Sequence, residues 1–220
     1  MILKNTISFS GLDGSGKTTL ISSTKSNLED LGYEVEVLTM YDHASFYAVL
    51  RNIRDYFSNR RNTHKDIKLD ANIESKRSTS YFYKIVRSKN FKRVIFLLDL
   101  LTLLIIKTFY VGKKKILLMD RYLYDFLVDL LDDDFDKDNI KRIIKVIPQA
   151  TLSVFVDVPG DVAYSRKYEY DVPYLNWRRT AYNEIFSETK STLIIDNTNE
   201  LSLNLEILSN KIKDLISDQR

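Results

Sequence analysis

Apolar and polar positions along this chain follow two periods, and each change of period marks a new element. Residues 5–10, Asn-Thr-Ile-Ser-Phe-Ser, predict a short strand that runs into a glycine-rich turn, after which Leu20, Ile21, Thr24, Leu28 and Leu31 recur at helical spacing. Gly32 is placed to end that helix. Tyr33-Glu-Val-Glu-Val-Leu-Thr-Met40 then alternates like a second strand, which completes a βαβ unit. Phe46, Val49, Leu50, Ile53, Tyr56 and Phe57 predict an amphipathic helix, followed by helical stretches at about 71–87 and 92–111. Lys115-Ile-Leu-Leu-Met-Asp120 and Thr151-Leu-Ser-Val-Phe-Val-Asp157 are apolar runs ending in aspartate, the pattern of strands covered on both faces of a parallel sheet. Leu193-Ile-Ile-Asp196 makes a fifth strand. A last helix, with Asn199 as its N-cap, carries Leu201, Leu205, Leu208, Ile212 and Leu215 on one face.

Strands alternating with helices predict an α/β fold, a doubly wound five-stranded parallel sheet flanked by helices. One domain is expected over residues 1–220, with helical insertions at about 43–112 and 166–190. Ligands of such sheets gather at the carboxyl ends of the strands, and the polar motifs of this chain fall there.

Composition changes the chemistry more than the fold. With 220 residues, 44% of them apolar and 29% charged, the chain has the make-up of one folded domain. It has no cysteine and only two histidines, which excludes disulfides and thiolate metal sites and argues against a zinc enzyme. The N-terminus lacks the pattern of a secretory signal, so cytoplasmic residence is expected. The run Val94–Ile106 is 13 residues long and contains Asp99, too short and too polar to span a bilayer, so no transmembrane segment is expected. Helix 94–111 reads as buried, against the core or as the seam of a homodimer. Net charge is +3, but residues 51–93 hold 13 Lys or Arg against four Asp or Glu. That basic stretch suits either a solvated helix face or an anionic partner or surface.

The sharpest local signal is Gly11-Leu-Asp-Gly-Ser-Gly-Lys-Thr-Thr19, a match to Gly-x-x-x-x-Gly-Lys-Ser/Thr between a strand and a helix. Gly11, Gly14 and Gly16 let backbone N–H groups, including those of Ser15 and Thr19, wrap a polyphosphate. Lys17 reaches its β and γ phosphates, and Thr18 offers a hydroxyl to Mg²⁺. Asp13 is short, acidic and suited to accept a hydrogen bond from a hydroxyl of the phosphate acceptor, or else simply to form the turn.

These residues resemble the phosphate loop of thymidylate kinases. Asp120-Arg121-Tyr122, after an apolar strand, is similar to that family's Asp-Arg-Tyr element. Phe155-Val-Asp-Val-Pro-Gly-Asp-Val-Ala-Tyr-Ser-Arg166 is similar to the strand and helix leading into its lid, and Ile195-Asp-Asn197-Thr to the loop against the adenine. The resemblance implies a P-loop kinase whose insertions form acceptor and lid regions, with ATP and Mg²⁺ as cofactors. Arg121 would clamp an acceptor phosphate, Asp120 would hold Mg²⁺ or its waters, and Asn197 would lie at the donor base. Arg166, with Lys167, Arg178 and Arg179, would close over the γ-phosphate. The expected reaction is phosphoryl transfer from ATP to a nucleoside monophosphate such as dTMP.

Two departures bear on the acceptor. Where the family carries Arg-Glu-Pro-Gly-Gly this chain reads Thr39-Met-Tyr-Asp-His-Ala-Ser45, and Asp99 is followed by Leu100 instead of a base-reading arginine. An anionic acceptor such as a sugar or glycan intermediate is the alternative, with Asp125 and Asp129 on one helix face as contacts for its hydroxyls. Asp157-Val-Pro-Gly160 imitates a GTPase element, but Asn197-Thr-Asn-Glu200 does not supply the base-reading Asn-Lys-x-Asp. Tyr81, Phe82 and Tyr83 within the basic stretch give only a weak nucleic-acid signal, and that reading leaves the loop unexplained.

Overall fold

The computed structural model of the protein describes residues 2–39, 94, 97–103, 105, 115–132 and 137–217. The chain forms two compact units, residues 1–40 with 103–220, and residues 41–102. Of the second unit the described residues are 94 and 97–102, all helical; Asp99 is buried, whereas Val94, Leu97 and Leu101 are exposed. The helices expected at 46–57 and 71–87, most of the basic stretch and residues 40–45 lie outside the described residues. Among the described residues, no helix is long and apolar enough to cross a membrane.

The first unit contains β1 (Ile2–Gly11), α1 (Lys17–Asp30), β2 (Glu34–Thr39), β3 (Lys115–Asp120), α2 (Leu123–Asp132), α3 (Lys137–Val146), β4 (Gln149–Asp157), α4 (Gly160–Arg166), α5 (Val172–Ser187), β5 (Thr192–Asp196) and α6 (Leu201–Ser217). The five strands form one all-parallel sheet in the order β2-β3-β1-β4-β5. All five expected strands are present, with β1 starting three residues and β4 two residues earlier than the pattern suggests. Asn199 lies just before α6, where its side-chain amide donates to the Asp196 carbonyl at 3.2 Å.

Period-2 alternation divides β1 between two layers. Ile7 and Phe9 join Leu118, Val154 and Val156 in an apolar cluster covered by Leu20, Ile21 and Leu28 of α1 and Leu208 and Ile212 of α6. Ser10 points the other way, toward α2 and α5, where Phe155 stacks on Tyr182 and Phe186 with ring centroids 5.4 and 5.2 Å apart. Crossovers leave β1 toward β2 on one side and β3 toward β4 on the other. The crevice of this doubly wound sheet therefore opens at the carboxyl end of β1, where the glycine-rich turn begins.

Candidate functional site

The turn between β1 and α1 fits tightly against two other segments. Gly14 and Gly16 have φ of 85° and 87°, a left-handed conformation that side chains strain to adopt. A Cβ on Gly14 would lie 2.4 Å from the Ala163 carbonyl oxygen of α4, and one on Gly16 2.4 Å from Asn197 Nδ2 in the β5–α6 turn. Glycine thus lets both segments pack directly on the loop. Gly16 also caps α1 without any side-chain bond, so the first amides of the helix present donors and a positive dipole end at the loop.

Lys17 folds back beneath this turn. Its Nζ donates to the carbonyls of Gly11 (2.9 Å) and Leu12 (2.6 Å) and lies 3.5 Å from Ser15 Oγ. Burial pushes its pKa down to about 8; the Arg121 charge acts in the same direction, while Asp125, Asp13 and Asp120 oppose the shift. The Asp13 carboxylate pairs with Arg121 Nη2 and lies 4.0 Å from Lys167 Nζ. Burial alone would raise the Asp13 pKa, but Arg121, Lys17 and Lys167 outweigh it and hold the carboxyl below its ordinary value.

Arg121 follows Asp120, the last residue of β3, and holds φ at 66°, a conformation that costs a non-glycine residue about 1–3 kcal/mol. Its backbone N–H bonds to the Phe9 carbonyl at 2.9 Å, which pins the turn to β1. Its Nη1 lies 3.6 Å from Asp125 Oδ1. Asp125 is fully buried: Oδ2 accepts from Ser10 Oγ (2.6 Å) and Tyr122 N (3.0 Å), and Oδ1 from the Tyr182 hydroxyl (2.8 Å). The expectation that Asp125 meets acceptor hydroxyls is therefore corrected, because its oxygens are turned inward and occupied. Asp129, one helical turn on, bonds to Arg178 Nη1 at 2.8 Å.

The four lid cations separate into two pairs. Arg178 is held by Asp129 and by the Tyr174 hydroxyl at 3.2 Å, with its guanidinium over the Tyr174 ring; burial opposes its charge, but Tyr182 and Asp129 more than offset that and raise its pKa. Arg179 makes a bidentate pair with Asp157 at 2.7 and 2.6 Å, which ties α5 to the end of β4. Both of these arginines are thus already paired with carboxylates, and the Arg178 charge also helps hold Asp13 below its ordinary pKa. Arg166 and Lys167 lie beside the loop: Arg166 donates to the Asn197 carbonyl at 3.0 Å, and its Nη1 is 3.9 Å from where a Gly16 Cβ would be.

Asn197 supports the loop through its side chain, donating from Nδ2 to the Ser15 carbonyl at 2.7 Å and accepting at Oδ1 from Asn204 at 2.9 Å. Thr18 and Thr19 are exposed on the first turn of α1, and Asp120 is half-buried at the end of β3. No group of three or more potential side-chain ligands that could hold a metal is present among the described residues. Mg²⁺ delivered with phosphates needs only one or two hard oxygens from the protein, and Thr18 with Asp120 fits that requirement in kind. Sequence reasoning missed Ser10, Tyr182, Asn204 and Asn176, whose Oδ1 caps the Gly160 amide at 3.0 Å. Only Ser10 left a trace in the pattern, as one of the polar residues alternating with Ile7 and Phe9.

No protein-family model and no curated protein matches the chain.

Proposed function

We propose that the chain is an ATP- and Mg²⁺-dependent phosphotransferase acting on a nucleoside monophosphate, with the β1–α1 turn as the donor site. The observation that carries this reading is the glycine turn at the carboxyl end of a central parallel strand, with the buried Lys17 ammonium beneath it and an uncapped helix start beyond it. Phosphoryl transfer asks a protein mainly for positioning and charge neutralisation, and the side chains around this turn supply both.

In this reading Lys17 exchanges its bonds to the Gly11 and Leu12 carbonyls for phosphate oxygens. The amides of Gly14 and of Gly16 to Thr19 bind the remaining oxygens, while the Ser15 amide closes the turn on the Leu12 carbonyl at 3.1 Å, and Arg166 and Lys167 neutralise the γ-phosphate. Thr18 and Asp120 would hold Mg²⁺, which when bound neutralises phosphate charge. Arg121 clamps the acceptor phosphate, and Asp13 accepts a hydrogen bond from an acceptor hydroxyl. Asn197 holds the loop beside the donor base. Leu100, in place of a base-reading arginine, favours a second reading in which the anionic acceptor is a sugar or glycan intermediate. The exposed Val94, Leu97 and Leu101 support helix 94–111 as a homodimer seam. Cytoplasmic residence belongs to the same reading.

ATP consumption screened against nucleoside monophosphates and sugar phosphates tests the assignment. ADP release that depends on one such acceptor and is lost in Lys17→Ala is the expected result. Acceptor-independent behaviour identical in the two proteins would sink it.

A further inference from the structure

Asp125 has no part in the reaction just described, yet groups from three other places in the fold converge on it. Ser10 comes from β1, Arg121 and the Tyr122 amide from the β3–α2 turn, the carboxylate itself from α2, and the Tyr182 hydroxyl from α5. A fully buried carboxylate is costly unless its oxygens are hydrogen-bonded and its charge is paired, and here both conditions are met. Tyr182 is itself enclosed; burial, then the Asp125 charge, raises its pKa, so its hydroxyl stays a donor. The other carboxylate on Arg121, Asp13, is about a quarter exposed and sits on the loop. It is the partner that an incoming phosphate can displace, whereas Asp125 is walled in.

We propose that Asp125 is a positioning residue that holds the Arg121 guanidinium toward the phosphate loop, and that Tyr182 transmits the placement of α5 to Arg121 through it. An arginine side chain loses its many rotamers only when both ends are fixed. Here the backbone end is pinned by the Phe9 carbonyl and the guanidinium end by Asp125, which removes that freedom before any ligand arrives. The consequence for rate rests on the function proposed above; the placement of Arg121 does not.

The test compares the wild type with Asp125→Asn and Tyr182→Phe by ¹⁵N-arginine NMR, with Arg121→Lys to assign the Arg121 guanidinium signal. Exchange of the Arg121 guanidinium protons should accelerate by about tenfold in Asp125→Asn and by a smaller factor in Tyr182→Phe. Turnover of MgATP should fall by on the order of 100-fold in Asp125→Asn, with MgATP affinity within about twofold of the wild type. Unchanged exchange in a folded Asp125→Asn protein would overturn the proposal, as would equal losses of turnover and MgATP affinity. If Asp125→Asn does not fold, Tyr182→Phe, which keeps the ring, decides by the same exchange measurement. Failure of the wild type to bind MgATP would sink the function proposed above and leave the Arg121 signal to decide the positioning role.

Discussion

The two faces of the sheet are built from the same strands and held together by different chemistry. Under α1 and α6 the contacts are apolar: Ile7, Phe9, Leu118, Val154 and Val156 meet Leu20, Leu28, Leu208 and Ile212. Under α2 and α5 the strands offer Ser8, Ser10 and Ser153, and Asp125, itself bonded by Tyr182, accepts from Ser10. The first face stabilises without direction, since burial is worth about 25 cal/mol for each Å² whatever the orientation. The second face also buries large rings, Phe155, Tyr182 and Phe186 among them, and in addition specifies angles, because hydrogen bonds to a buried carboxylate are short and directional. Its polar groups end in Arg121, beside the loop. Both faces therefore stabilise the fold, and the second also aims a side chain.

Substitutions can separate the two contributions. Lys17→Ala should have the largest effect, a loss of turnover of at least about 1,000-fold, with the thermal unfolding midpoint little changed because losing two bonds to the Gly11 and Leu12 carbonyls is offset by no longer burying a charge. A steady-state assay paired with calorimetry checks both halves. Leu118→Ala, on the apolar face, should cost about 2–5 kcal/mol of stability in denaturant titration while leaving the MgATP affinity of the folded protein intact. Arg121→Ala should reverse that pattern, costing about 2–4 kcal/mol of transition-state stabilisation. It should lower stability by less than Leu118→Ala does, since Asp125 loses its paired charge but keeps the bonds from Ser10, Tyr122 and Tyr182, and alanine relieves none of the left-handed strain at residue 121.

The pH dependence gives a finer separation. Lys17 has a pKa lowered below its unfolded value of 10.5 to about 8, so the free folded protein loses this charge as pH rises through about 8. Phosphate binding requires the charged form. MgATP affinity should therefore fall by about tenfold for each pH unit above 8, and binding there should take up a proton, read by titration calorimetry in buffers of different ionisation enthalpy. The smallest effect is expected at Ser8, whose buried hydroxyl has no hydrogen-bond partner among the described residues. Ser8→Ala should change stability by less than about 1 kcal/mol, in the stabilising direction, with turnover unaffected.

The contrast between the faces also explains what the sequence could tell. The phosphate loop was legible because its demands are local: glycines for left-handed turns and a lysine at fixed spacing announce themselves within nine residues. The strands were legible because β3 and β4 are apolar on both sides. The polar face was not, although Thr6, Ser8 and Ser10 alternate with Ile7 and Phe9 in plain view. What the Ser10 hydroxyl meets depends on Asp125 and, through it, on Tyr182, which lie far along the chain, and Tyr182 is 57 positions from the carboxylate it serves. The partners of Arg178 and Arg179 were hidden for the same reason. As a pair of cations beside a Tyr/Asp/Pro segment they resemble free lid charges, and only the fold brings Asp129 and Asp157 to them, 49 and 22 positions away.

The central claim is that the β1–α1 turn with Lys17 beneath it grips a magnesium nucleoside triphosphate. Titration calorimetry of MgATP into the wild type and Lys17→Ala at pH 7 tests it most directly. The account predicts a saturable one-to-one isotherm for the wild type and a loss of affinity of at least about 100-fold in the variant. A wild type that takes up no MgATP, or a Lys17→Ala protein that binds it equally well, would contradict it.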